Sequence, residues 1–250
     1  DKIIAVAKAC GADAIHPGYG FLAENADFAE ACRDAGLEFI GPSPESIRLL
    51  GDKIAARRIA EQCGVPVLPG SGEVESIDEA LAFADRIGYP VMVKAAAGGG
   101  GRGIRLINSP GEFREAAARA MQEAQAAFGN AAIYVEKNLQ RVRHIEVQVI
   151  GDKFGNAVPV GERECSIQRR HQKLIEECPS IAVSPQLRRS LTRAAVRIAR
   201  AANYHNVGTV EFLLTEDGSY YFLEMNTRLQ VEHPVTEIVT GTDLVKDQII

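Results

Sequence analysis

The sequence predicts a mixed fold of α/β and α+β character, on three observations. Strand-type and helix-type segments alternate along almost the whole chain; the stretch from residue 144 onward is rich in antiparallel signals; and two strand-like runs flank Asp217-Gly218, a strong hairpin dipeptide. Taken in order, Ile3, Ile4, Ala7 and Lys8 read as part of a helix before Gly11. Asp13–His16 is a short strand ending in the turn Pro17-Gly-Tyr-Gly20, Glu24–Ala35 a helix stopped by Gly36, and Leu37–Ile40 a strand ended by Gly41-Pro42. Residues 46–63 form a helical connection closed by Gly64. The stretch before that connection looks like the tail of a βα-type domain, with the boundary at about residue 50.

A second unit spans about residues 67–140. Ser76-Ile-Asp-Glu79 and Ser109-Pro-Gly-Glu112 have the spacing of capping boxes, in which the Ser and Glu side chains satisfy free backbone N–H groups at a helix start. The first helix ends at Gly88, and the second presents Phe113, Ala117, Met121 and Ala124 on one face. Pro90–Lys94, Ile104–Ile107 and Ala131–Val135 read as strands. In the third unit, His144–Ile150 alternates with Ile145, Val147 and Val149 on one face, a Gly151…Gly155 turn follows, and Ala157–Val160 is a strand. Ser184-Pro185 opens a long helix to Ala202 with Leu187, Leu191, Ala194 and Ile198 inward. The chain ends in another helical run, Asp243–Ile250; with no initial Met, it is expected to be a piece of a longer protein.

The chain has 250 residues, 46% of them hydrophobic, enough for one large core or two smaller ones. Its net charge of −5, with both signs mixed, argues against a nucleic-acid footprint or a polybasic membrane surface. Five dispersed cysteines with no CxxC pair fit reduced thiols, and no apolar run approaches a membrane span; a cytoplasmic protein is the expectation.

Four stretches carry chemistry. If Asp217-Gly218 is a two-residue turn, Glu211 lies directly across from Glu224, and Asn226 points to the same face. Opposed carboxylates repel in a structural sheet, and a hard cation such as Mg²⁺ resolves the conflict. The alternatives are a solvated face with the charges apart, or a longer loop that shifts the register. Second, Gly98–Gly101 with Gly103 follows Lys94 at a strand end; such a run lets backbone N–H groups wrap an anion and can close as a lid, though a bare glycine run is equally a surface loop. It matches neither the Walker nor the Rossmann pattern, and Lys53 is a weaker cation candidate. Third, residues 162–173 place Arg163, Arg169, Arg170, His171 and Lys173 together, which suits anions such as phosphate and bicarbonate unless the run is only an exposed charged loop. Fourth, strand alternation aims Glu224, Asn226 and Arg228 to one side, with Gln230 and Glu232 following if the chain stays extended. A guanidinium beside a carboxylate can hold a planar anion and take its proton, although a structural Arg–Glu pair has the same spacing.

HPGYGFLAEN (16–25), FIGPSPESIRLLGDK (39–53), GYPVMVKAAAGGGGRGI (88–104), ECSIQRRHQK (164–173) and EMNTRLQVEHPVTE (224–237) together resemble biotin carboxylase of the ATP-grasp superfamily, over essentially the whole chain. The resemblance implies an ATP-grasp domain at 51–250, with a lid subdomain at about 67–140 and a larger antiparallel-sheet subdomain, preceded at 1–50 by the end of a Rossmann-like pre-ATP-grasp domain. It implies that the nucleotide lies between the lid and the larger subdomain. ATP contacts fall at Lys53, Lys94, Gly100, Gly101, Glu136, Lys137, Asn138, Leu139, His144 and His171, besides the metal-holding Glu211 and Glu224. Mg²⁺ or Mn²⁺ ligands are Glu211, Glu224 and Asn226; bicarbonate contacts are Lys173, Arg228, Gln230 and Val231; and Glu232 is the base that takes the bicarbonate proton, with Arg228 also steadying the biotin enolate.

The implied reaction is ATP-dependent carboxylation of biotin on a carrier protein through carboxyphosphate, coupled to a carboxyltransferase. The last motif favours an acyl-CoA carboxylase of the acetyl- or propionyl-CoA type, hence fatty acid biosynthesis, over pyruvate carboxylase. A homodimer is implied for the longer protein, and these 250 residues alone are expected to be weakly active or inactive. The alternatives are another bicarbonate-phosphorylating ligase of the carbamoyl-phosphate synthetase type, which lacks the ECSIQRRHQK and RLQVEH stretches, and a non-catalytic nucleotide-binding module, which has no need of Glu232.

Overall fold

The computed structural model describes residues 2–95, 104–169 and 172–250. The chain divides into two compact units, residues 68–142 and the remainder. The remainder begins with α1 (Lys2–Ala9), β1 (Ala14–Ile15), a short 3-10 helix (Phe21–Glu24), α2 (Ala26–Asp34) and β2 (Glu38–Phe39), with β1 and β2 paired in parallel. Next come α3 (Pro44–Gly51) and α4 (Lys53–Gln62). The sequence reads these two as a single helix; they are separate because Asp52 caps the second, its Oδ1 accepting from the N–H groups of Ile54 and Ala55 at 2.9 Å each.

The smaller unit holds α5 (Ile77–Ile87), β3 (Val91–Ala95), β4 (Arg105–Ile107), α6 (Pro110–Phe128) and β5 (Ile133–Lys137). Its three strands form an antiparallel sheet in the order β4-β3-β5. Val91, Val93, Ile107, Ile133 and Val135 pack on Ala80, Ala84, Phe113, Ala117 and Ala120 of the two helices. Neither expected capping box forms: Ser76 and Ser109 accept no bond from their helices. Ser109 instead donates its hydroxyl to Glu112 Oε1 at 3.0 Å, since a carboxylate is the stronger acceptor, and nothing in the contacts accounts for Ser76.

The rest of the larger unit is β6 (Arg143–Gly151), β7 (Ala157–Arg169), β8 (Gln172–Glu177), α7 (Pro185–Ala201), β9 (Asn206–Leu214), β10 (Tyr220–Asn226), α8 (His233–Thr240) and α9 (Leu244–Ile249). Five strands make an antiparallel sheet in the order β10-β9-β6-β7-β8. One face is the main core: Ile145, Val147, Val149, Val210, Phe212 and Met225 pack against Ala56, Ile59, Leu191, Ala194 and Ile198 of α4 and α7. Burial of such aliphatic side chains contributes about 1.5–3 kcal/mol each. The α7 start is fixed as expected by Pro185 and by Ser184, whose Oγ accepts from Leu187 N.

The β9–β10 hairpin departs from the expected two-residue turn. Thr215 N donates to Ser219 O across a three-residue loop, and Tyr220 pairs with Leu214. This register would leave Glu224 out of step, but a bulge between Phe222 and Glu224 absorbs one residue, and Glu224 pairs with Glu211 after all.

The candidate carboxylate–lysine site

The polar face of the large sheet follows from strand alternation. With Ile145, Val147 and Val149 committed to the core, His144, Glu146 and Gln148 project from the opposite face of β6. Pairing then lines up one row across four strands: Glu224 faces Glu211, Glu211 faces Glu146, and Glu146 faces Arg163. Three carboxylates in a row are unstable in a sheet unless cations compensate them, and buried charges are retained only when paired. Glu146, Glu211 and Arg163 are all buried.

Lys173 of β8 supplies one compensating charge. Its Nζ donates to Glu211 Oε1 at 2.9 Å and to Glu232 Oε1 at 2.5 Å, and it also pairs with Glu146 Oε1. Burial opposes its charge, but Glu211, Glu146 and Glu232 outweigh this and hold the ammonium well above the ordinary lysine range. His144 Nε2 lies 3.0 Å from Glu211 Oε2 and 3.2 Å from Glu146 Oε1. Burial pulls the imidazole down, yet the two carboxylates outweigh this and push it up to about 9. Glu211 is held far below the usual carboxylate range by His144 and Lys173 despite its burial. Asn226 Nδ2 and Gln230 Nε2 also donate to Glu211 Oε1, at 2.7 and 2.9 Å.

The final stretch does not stay extended beyond Asn226, so alternation fails for Gln230 and Glu232. The chain turns after β10 and returns to the cluster, with Glu232 at the start of α8. Arg228 donates to Asn226 Oδ1 (3.3 Å) and pairs through Nε with Glu24 Oε1 of the 3-10 helix (3.2 Å). Val231 is exposed.

The basic run at 162–173 also divides differently from the expectation of one anion-binding patch. It is strand rather than loop up to Arg169 and again from Gln172. Arg163 is buried among internal acceptors, where no solute anion reaches it, because Glu146 faces it in the register. Arg169 is exposed, and Lys173 reaches the site's carboxylates from β8 while Arg163 bonds to Glu146 from β7. Arg170, His171, Gly100 and Gly101 lie outside the described residues. Lys53 is exposed at the start of α4.

In the smaller unit Lys94 pairs with Glu136. Lys137 Nζ donates to the carbonyls of Gly88 and Tyr89, both at 2.9 Å, Asn138 N donates to Pro90 O, and Leu139 is partly exposed. Sequence reasoning missed Glu146 and Glu24 and gave Arg163 to the anion-binding run. Glu146 was within reach, as a carboxylate on the polar side of an alternating strand; the places of the other two depend on pairings the sequence does not declare. Cys165 lies close to Glu146 and Glu232, but burial and Glu146 push its thiol far up, which removes it as a nucleophile.

The donor set fits a hard divalent cation. Glu211 and Glu224 offer carboxylate oxygens from paired positions, and Glu146 Oε1 is buried without an aligned hydrogen bond although Lys173 and His144 touch it. His144, Glu146 and Glu211 also bring possible ligand atoms within 4.8 Å of one another.

Residues 52–250 match the family described as carbamoyl-phosphate synthase L chain, ATP binding domain, and residues 1–47 match biotin carboxylase, N-terminal domain. The first match places most of the chain in an ATP-binding class with the ATP-grasp fold that the sequence led us to expect. The chain is 58% identical over 249 residues to biotin carboxylase of Nostoc sp., covering 99% of this chain and 56% of that protein. It is 55% identical over 248 residues to mitochondrial pyruvate carboxylase of Rattus norvegicus, covering 99% of this chain and 21% of that protein. Among solved structures, the biotin carboxylase domain dimer of Hydrogenobacter thermophilus 2-oxoglutarate carboxylase, in complex with MgADP, ADP and bicarbonate, superimposes with a TM-score of 0.94. Its identity is 49%, covering 99% of this chain and 55% of that one. The chain belongs to the biotin carboxylase family. It spans about half the length of the biotin carboxylases it matches.

Proposed function

We propose that the protein carrying this chain uses ATP, Mg²⁺ and bicarbonate to carboxylate biotin on a carrier protein, as an enzyme of the ligase class. The observation that carries this reading is the grouping of Lys173 with Glu146, Glu211 and Glu232, beside Arg228. Lys173 and Arg228 offer charge and donors to a small planar anion, with Gln230 and Val231 alongside. Glu232 is the group that takes the bicarbonate proton; the freed oxygen then attacks the γ-phosphorus of ATP, ADP leaves, and carboxyphosphate results. Carboxyphosphate in turn breaks into carbon dioxide and phosphate; the phosphate takes the proton from the biotin nitrogen, and that nitrogen attacks the carbon dioxide, with Arg228 steadying the enolate. Glu211, Glu224 and Asn226 would hold Mg²⁺, which supplies neutralisation of phosphate charge.

Lys53, Lys94, Gly100, Gly101, Glu136, Lys137, Asn138, Leu139, His144 and His171 are carried as nucleotide contacts on the strength of the sequence resemblance. So is the division into a pre-ATP-grasp segment at 1–50 and an ATP-grasp domain at 51–250 with its lid at about 67–140. An acyl-CoA carboxylase is the preferred setting, supported by EMNTRLQVEHPVTE, with a carboxyltransferase partner, a homodimeric assembly and a cytoplasmic location. No helix among the described residues is long and apolar enough to cross a membrane.

The test is ADP release by the protein containing this chain, with bicarbonate and either free biotin or ammonia as acceptor. Biotin-dependent turnover that falls at least about 100-fold in Glu232→Gln is expected, the size of a lost general base. Turnover driven by ammonia and not by biotin would identify a carbamoyl-phosphate synthetase type instead, undiminished biotin-dependent turnover in Glu232→Gln would remove that residue as the base, and nucleotide binding without turnover on either acceptor would leave only a nucleotide-binding role.

A further inference from the structure

We infer that Arg163, which touches no substrate in the reading above, is the positioning residue of the carboxylate–lysine site: it fixes which way Gln230 and Glu146 face, and through them the settings of Glu211 and Lys173. The inference rests on the site being the bicarbonate and phosphoryl centre proposed above.

The guanidinium is fully buried, and all its donors are engaged. Nε and Nη2 both donate to Glu146 Oε2, at 3.1 and 3.0 Å. Nη1 donates to Gln148 Oε1 at 2.7 Å and Thr236 Oγ1 at 3.0 Å, and Nη2 also reaches Gln230 Oε1 at 2.9 Å and Thr209 Oγ1 at 3.2 Å. These acceptors come from β6, β9, the segment after β10, and α8. One planar fork therefore ties four parts of the chain to a single point, which a lysine, with three donors on a flexible stem, does not reproduce.

Two orientations follow. Because Gln230 Oε1 is held by Arg163, the Gln230 amide must turn its N–H toward Glu211 Oε1, where it donates at 2.9 Å. The flipped amide would set N–H against guanidinium and oxygen against carboxylate, two repulsions in place of two bonds. Likewise, both Glu146 contacts to Arg163 use Oε2, which leaves Oε1 as the oxygen paired with Lys173. A residue there only to fill space or balance one charge would require neither selection.

The experiment compares Arg163→Lys with the parent protein by steady-state kinetics and by a crystal structure of each. The expected result is a kcat for biotin-dependent ADP release reduced about 10- to 100-fold and a raised KM for bicarbonate, in a protein that still unfolds cooperatively at a lowered melting temperature. In the crystal, Gln230 should leave Glu211, and Lys173 should shift off Glu146. If Gln230, Glu146 and Lys173 hold their places and the kinetics of the folded protein are unchanged, the inference is overturned. Should Arg163→Lys not fold, Thr236→Val, which removes one acceptor outside the carboxylate row, decides: a three- to tenfold loss of kcat supports positioning, and unaltered kinetics with the Gln230 amide unmoved refute it. A parent protein without biotin-dependent turnover would refute the functional reading alone, since the crystallographic comparison still tests what Arg163 holds.

Discussion

Glu24 Oε1 lies 3.2 Å from Arg228 Nε, so the 3-10 helix of the first 50 residues reaches the guanidinium assigned to anion binding. The pair is partly exposed, and such pairs contribute at most about 1 kcal/mol to stability. Its effect belongs instead to the rotamer of Arg228. Glu24→Gln should therefore leave the melting temperature within about 2 °C and lower kcat/KM for biotin-dependent ADP release about three- to tenfold, since one factor of ten corresponds to about 1.4 kcal/mol. Steady-state kinetics beside a thermal melt checks both halves, and an undiminished kcat/KM would remove any role for the pair in anion placement.

Removal of the divalent ion should abolish turnover. Chelation, followed by return of Mg²⁺ or Mn²⁺, is expected to switch ADP release off and on. Glu211→Gln, which exchanges a buried carboxylate for an amide, should weaken Mn²⁺ binding in the presence of nucleotide at least about tenfold and cut kcat about 100-fold or more. Electron paramagnetic titration of free Mn²⁺ measures the first effect without relying on catalysis.

Glu164 predicts an acid limit to stability. Burial raises its pKa, but Ser180, Arg143 and Ser166 more than reverse this and hold the folded-state value below 4.5, while Glu177 faces it across the β7–β8 pair. A depressed folded pKa stabilises fully above the unfolded value and is lost as pH falls through and below it. Glu164→Gln should lower stability at pH 7 by about 1–3 kcal/mol and flatten the decline between pH 5 and 3. Denaturant melts across that range make the comparison; parallel curves for the two proteins would contradict it.

Gly151 is required for contact rather than for backbone conformation. A Cβ there would come 2.3 Å from the carbonyl oxygen of Tyr204, a backbone atom that cannot swing aside. Gly151→Ala should destabilise by about 1–3 kcal/mol, the range for forced overpacking. Gly72→Ala, where nothing lies within 4 Å, serves as a nearby control in composition, with little change expected by the same melt.

Much of the fold was legible because the apolar periodicities are clean: Leu191, Ala194 and Ile198 on α7, and Ile145, Val147 and Val149 on β6, point where alternation said they would. Glu211 and Glu224 were found through the hairpin, although by a loop and a bulge rather than by the simple turn expected. Arg163 was misread as part of a solvent-facing basic run because local charge density says nothing about which strand lies alongside. Its burial follows from the pairing of β7 with β6, which joins Arg163 to Glu146, and that pairing is a property of the sheet order. Gln230 and Glu232 reached the site by a reversal of the chain that strand alternation does not foresee.

The extra residue at Leu223 separates the two ends of β10. Phe222 on one side and Met225 on the other both face the core, although regular alternation would place them on opposite faces. The tip of the hairpin and the acid-bearing end thus keep independent phase, and a slip at the tip has somewhere to stop before it reaches Glu224. Residues 216–218 are for that reason a place where the chain can be lengthened or cut back while the acids stay in step.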